Sequence, residues 1–171
     1  GRTVNIDGIE HLYFSGTSYL GMGQNPEFTE LLIQGLRRYG NNYSSSRISN
    51  LQIKVFEEAE TFLSKTFGSE AALTMSSGYM AAQVVVQMLL AQPQTTFVYA
   101  PKTHPALWRS PADFFIEDFQ VWIDSLFNSI KTNSPGKIAI LCNSIDPLLV
   151  EKYSFDWIQD LPSEKEFTVV I

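Results

Sequence analysis

The sequence predicts an α/β fold, a mostly parallel sheet with helices on both faces. Short apolar runs of strand length alternate with longer segments of helical period. The strand candidates are apolar on consecutive residues, as strands covered on both sides are. The composition fits a folded domain: 44% of the 171 residues are hydrophobic and 18% charged, far from the balance of a disordered chain. A chain of this length buries roughly 70% of its unfolded surface.

The elements follow in order. His11-Leu12-Tyr13-Phe14 reads as a strand. Pro26 opens a helix through Leu36, since proline suits a first turn, and Gly40 follows its end. Leu51 to Phe67 has the clearest helical period, with Leu51, Val55, Phe56, Ala59, Phe62, Leu63 and Phe67 at three- and four-residue steps, and Gly68 stops it. Residues 71–75 read as a short buried strand and 79–91 as a helix. Thr96 to Tyr99 is a strand, about 119–130 a helix, Lys137 to Leu141 a strand, and Phe167 to Ile171 the last strand. Residues 1–50 are expected to form an N-terminal segment with a substrate-entrance loop, and 51–171 the first part of a ligand-binding domain.

Charge and cysteine usage narrow the function. A net charge of −6 argues against a nucleic-acid surface. The single cysteine, Cys142, cannot form an internal disulfide and fits a reducing compartment; within Ile138–Cys142 it reads as a buried, inert thiol. The longest apolar runs are too short to span a bilayer, and Gly1–Asn5 does not read as a secretory leader. The expected location is the cytoplasm, without a membrane partner. No metal site is expected.

The most informative motif is Ser76-Ser77-Gly78-Tyr79, between strand 71–75 and the following helix. A strand turning directly into a helix leaves unpaired N–H groups at the positive end of the helix dipole, a setting suited to phosphate. Gly78 allows close approach, and the serines add hydroxyls. The same residues would serve equally as an ordinary N-cap of a core helix.

The order of motifs along the chain extends this reading. Ser18-Tyr19-Leu20-Gly21-Met22 comes first, then Tyr39-Gly40 with Ser44-Ser45-Ser46-Arg47. Glu70-Ala71-Ala72-Leu73, Ser77-Gly78-Tyr79 and Thr103-His104-Pro105-Ala106-Leu107 follow, then Ser144-Ile145-Asp146 and Thr168–Ile171. In this order, from about Asp7 to Ile171, the chain resembles the α-oxoamine synthase family of fold type I pyridoxal-phosphate enzymes. The resemblance implies part of the large domain of such an enzyme, with pyridoxal phosphate as cofactor. It implies a transferase that condenses an amino acid with an acyl thioester to an α-oxoamine, as a homodimer.

Residue by residue, the resemblance assigns Ser77, Gly78 and Tyr79 to the cofactor phosphate. His104, in Thr-His-x-x-Leu, stacks on the pyridine ring and assists proton transfer. Ser144, in Ser-x-Asp, stands near the cofactor and the substrate carboxylate, although Asn143–Pro147 is also a good turn sequence. Thr17 stands where the family commonly has a substrate-binding asparagine. The chain departs from the family pattern at Thr17 and at Asn41-Asn42-Tyr43-Ser44, where glycines are usual. It departs again near Leu141, where an acidic residue has no match, and between His104 and Asp118, which is short.

The Ser64-Lys65-Thr66-Phe67-Gly68 stretch looks like the setting of an imine-forming lysine. Lys65, however, lies inside the most regular helix and before the phosphate turn, so it reads as a solvated helix residue. In the family the lysine, and the Asp that pairs with the pyridine nitrogen, follow a strand like Thr168–Ile171. The chain is therefore expected to be the first part of a longer enzyme and inactive alone. Two alternatives stay open: a class I/II aminotransferase of the same fold, and a non-catalytic α/β module that binds another anion.

Overall fold

The computed structural model describes residues 3–14, 16, 20–110, 117–133 and 136–171. They fall into two units, Gly1–Lys54 and Val55–Ile171.

In the first unit, β1 (Thr3–Ile6) and β2 (Ile9–Leu12) pair as an antiparallel hairpin. Asp7 and Gly8 form its turn, at φ 53° and 85°. Two positive φ values match the right-handed twist of a two-residue hairpin, and Asp-Gly is a preferred sequence for it. The Gly8 N–H donates to Asn5 Oδ1 at 2.9 Å. The expected strand at His11–Phe14 therefore begins and ends two residues earlier. Helix α1 (Pro26–Tyr39) is capped by Asn25, whose side chain accepts from the Phe28 N–H at 2.9 Å. It runs three residues past Leu36, because nothing in Arg37-Arg38-Tyr39 breaks a helix, and it ends at Gly40 with φ 79°.

Helix α2 (Lys54–Phe67) starts three residues later than its apolar period suggests. The Leu51 carbonyl accepts instead from Tyr43 Oη at 2.6 Å and Ser49 Oγ at 2.8 Å. The helix closes with Ser69 N–H on the Ser64 carbonyl and Gly68 N–H on that of Lys65, with Gly68 at φ 63°, the double bond of a glycine-terminated helix.

The second unit is α/β as expected. After α3 (Gly78–Leu90), strands β3 (Thr95–Tyr99), β4 (Lys137–Leu141) and β5 (Phe167–Val170) form a parallel sheet in that order. Helix α4 (Phe119–Asn133) lies between β3 and β4 in the chain. Alternation along β4 sorts the core. Ile138, Ile140 and Cys142 pack with Trp122, Ile123, Leu126 and Ile130 of α4. Ala139 and Leu141 pack on the opposite face with Val86 and Leu89 of α3. Ala139 through Cys142 are completely buried, which is why β4 reads as an unbroken apolar run.

Gly136 lets β4 begin beside β3. A Cβ there would stand 2.6 Å from the Gln94 carbonyl oxygen, at a φ of +111°.

Residues 71–75 differ from expectation: they form no strand and join no ladder among the described residues. A side chain substitutes for a neighbouring strand. Glu60 Oε1, from α2, accepts from the Thr74 N–H at 2.6 Å and its hydroxyl at 2.9 Å. This tether fixes the approach to α3. No described helix is long and apolar enough to cross a membrane.

Candidate functional site at the carboxyl edge of the sheet

In parallel sheets ligands bind beyond the carboxyl ends of the strands. Here that edge consists of the loops after Tyr99 and Leu141, with the start of α3 beside them.

Ser77 is the N-cap of α3, in extended conformation, and its Oγ accepts from the Met80 N–H at 3.1 Å. The first intrahelical bond runs from Ala81 N–H to the Ser77 carbonyl at 3.1 Å. Helix geometry leaves the Gly78 and Tyr79 N–H groups without intrahelical acceptors. Nothing lies within 4 Å of where a Gly78 Cβ would stand, and Ser77, Gly78 and Tyr79 are all exposed. The Ser77 hydroxyl hydrogen is not used by the cap and can donate outward. The turn thus presents two N–H groups and one O–H to an open space at the positive end of a helix. The N-cap and anion-site readings coexist, because the cap uses only the lone pairs of Oγ.

His104 follows β3 through Ala100-Pro101-Lys102-Thr103. These four form a turn, with Thr103 N–H on the Ala100 carbonyl at 3.3 Å and Lys102 at φ 58°. Proline second and a positive φ third make it a type II turn, where glycine is the usual third residue. Thr103 Oγ1 bonds the carbonyls of Ala100 (2.6 Å) and Leu141 (3.0 Å). His104 caps the short 3-10 turn Pro105–Leu107: its Nδ1 accepts from the Ala106 N–H at 3.1 Å. Nδ1 therefore carries no proton, so Nε2 holds the ring hydrogen on an exposed side chain. That turn packs against α3, and Gln83 Nε2 donates to the Ala106 carbonyl at 2.6 Å. Gln83 is five residues from Gly78, roughly 7.5 Å along the helix.

The loop after β4 completes the edge. Asn143 donates through Nδ2 to the Lys102 carbonyl at 2.7 Å and accepts at Oδ1 from the His104 N–H at 3.0 Å. The Ser144 side chain is exposed, and its carbonyl accepts from Tyr153 N–H at 3.4 Å. Asp146 is buried and meets four donors. Oδ1 accepts from the N–H groups of Leu148 (2.7 Å) and Leu149 (2.9 Å). Oδ2 pairs with Lys102 Nζ and accepts from Tyr153 Oη at 3.1 Å.

The Lys102 ammonium, with these bonds, holds the Asp146 carboxyl well below the usual carboxylate range. Burial, then the Asp146 bond, pushes Tyr153 up to about 12. Burial alone pushes the Cys142 thiol to about 12, so it is unreactive at neutral pH.

The structure thus links Ser77-Gly78-Tyr79 to His104 through α3 and Gln83, and His104 to the Ser144 loop through Asn143. Thr17 lies outside the described residues. Lys65 is exposed on the last turn of α2. Among the described residues no cluster of His, Cys, Asp and Glu could hold a metal ion. Sequence reasoning quotes Asp146 within the Ser-x-Asp motif but assigns no role to it, nor to Lys102, Asn143 or Tyr153. The only local signal was Pro101 with Asn143-Ser144-Ile145-Asp146-Pro147, which marks turns but not their partners.

No family model matches the chain. Among curated proteins it is similar to several named 8-amino-7-oxononanoate synthase. The one from Chromobacterium violaceum is 32% identical over 97 residues, 57% of this chain and 25% of the relative. That from Nitrosomonas eutropha is 32% identical over 94 residues, 55% of this chain and 24% of the relative. That from Aliivibrio fischeri is 32% identical over 93 residues, 54% and 24%. The chain covers about a quarter of the length of these relatives. The similarity supports the family resemblance read from the motifs.

Proposed function

We propose that the full-length protein is a pyridoxal-phosphate-dependent acyltransferase, joining an amino acid to an acyl thioester, and that this chain carries the first part of its cofactor domain. The observation that carries the reading is the open, donor-rich start of α3 beside an exposed histidine at the carboxyl edge. The names of the relatives support the reaction class.

The residues present fit the cofactor. A phosphate dianion would be held by the Gly78 and Tyr79 N–H groups and the Ser77 hydroxyl, and the space around a Gly78 Cβ position is open. When bound, pyridoxal phosphate supplies an electron sink for negative charge at the amino-acid Cα. His104 would lie over the pyridine ring, with Nδ1 held by the Ala106 N–H and Nε2–H free to donate a hydrogen bond to a substrate oxygen. Ser144 stands at the same edge, beside Asn143, for the substrate carboxylate. In the overall exchange Cα gives up its proton and bonds to the acyl carbon, the departing thiolate takes up that proton, and the carboxylate leaves as CO2 with a solvent proton replacing it on Cα. We place the protein in the cytoplasm as a homodimer. Tyr79 and Met80 are exposed apolar side chains at the mouth of the site that a second subunit would cover.

The test is to incubate the full-length protein with pyridoxal phosphate, an amino acid and an acyl thioester. Free thiol and CO2 should appear in equal amounts, with a visible absorption band from bound cofactor. Amino transfer to a keto acid without thiol release would establish the aminotransferase instead. No visible band would leave an anion-binding module.

A further inference from the structure

We propose that Asn143 is a positioning residue that sets where His104 stands. The inference rests on the reading of His104 given above and adds a residue which that reading does not use. Lys102 occupies the position of a type II turn that favours glycine, at φ 58°, and a non-glycine residue there is held only where its surroundings over-determine it. Asn143 supplies that hold from a loop 41 residues away, through Nδ2 on the Lys102 carbonyl at 2.7 Å. The same amide accepts the His104 N–H at 3.0 Å. A reversed amide would set oxygen against oxygen and NH2 against N–H, so the two bonds fix its orientation. One planar group thus spans two consecutive peptide units of the turn that delivers the imidazole. The Lys102–Asp146 pair holds the same turn from its side chain. Cutting Asn143 leaves that second hold intact, so the turn should loosen rather than unfold.

The experiment compares full-length wild type with Asn143→Ala and Asn143→Asp. Asp keeps an acceptor for His104 but loses the donor to Lys102. Without cofactor, hydrogen exchange followed by mass spectrometry on the peptide containing Lys102–Ala106 should be roughly five- to tenfold faster at the His104 amide in Asn143→Ala, the loss of about one net hydrogen bond. Asn143→Asp should fall between Ala and wild type, and the β4 peptide should exchange as in wild type. With pyridoxal phosphate, the visible band of Asn143→Ala should shift while phosphate-turn affinity changes less than threefold. Unchanged exchange at His104 in both variants would overturn the proposal whatever the cofactor does. Faster exchange with an unshifted band would overturn positioning while leaving the proposed function standing. A wild type with no band at all would count against that function while leaving the exchange result on Asn143 standing.

Discussion

The two halves of the candidate site are built on opposite plans. At the start of α3, one hydroxyl caps one N–H, and the space above Gly78 is open. At the loops after β3 and β4, nearly every polar group is matched: Asn143 bonds two peptide units, Thr103 two carbonyls, and Asp146 four donors. The difference bears on which half is suited to take a ligand. A helix start with donors to spare gains most from a bound anion, whereas a fully matched network is finished without one and serves to hold its neighbours still. His104 sits where the two plans meet, its backbone in the network and its ring exposed.

Substitutions should separate the two plans. The largest expected effect lies beneath the network. Ile140, at 0% exposure on β4, when cut to alanine should cost about 2–5 kcal/mol, measured by urea unfolding. The next compares two glycines. Gly136→Ala meets the Gln94 carbonyl at 2.6 Å with φ +111° and should cost about 1–3 kcal/mol. Gly78→Ala meets nothing within 4 Å and should leave the urea midpoint unchanged. Equal losses at the two glycines would erase the distinction.

Smaller still, Ser77→Ala should cost about 1 kcal/mol through the lost cap, and should weaken phosphate binding as well. A stability loss with no change in phosphate affinity would make Ser77 a cap alone. The last expectation is a slope rather than a step. The Asp146 carboxyl is held below its unfolded value, near 3.9. Its contribution is therefore fully present above about pH 5 and is lost as pH falls through 4 and below. Asp146→Asn should flatten that part of the stability–pH curve without altering the slope between pH 6 and 8.

Legibility in the sequence followed the range of the interactions. Helices α1, α2, α3 and α4 and strands β3, β4 and β5 declare themselves through local period and breakers. The N-cap of α3 is equally local, so Ser77-Gly78 stands out as a strand–turn–helix motif. The hairpin of β1 and β2 does carry a turn signal in Asp7-Gly8, but the strand expected at 11–14 overlooks it, because Ile9 and Leu12 are three apart and break the alternation. Residues 71–75 show the limit. Their apolar run predicts a strand, but a strand needs a neighbour, and the Thr74 N–H is taken by Glu60 from 14 residues away. The Lys102–Asn143–Asp146 network was illegible for the same reason: its bonds join residues 39 to 44 apart. Nothing in Asn143-Ser144-Ile145-Asp146-Pro147 distinguishes a clasp from an ordinary turn.

The central claim is that the open start of α3 receives the phosphate of pyridoxal phosphate. Its most direct test is a titration of the full-length protein with that cofactor, followed by visible absorbance, for wild type and Gly78→Val. The β-branched side chain would fill the space above the two free N–H groups. The expected result is a dissociation constant at least about tenfold weaker in Gly78→Val, a difference of about 1.4 kcal/mol, with an unchanged urea midpoint. An equal dissociation constant in the two proteins would contradict the account.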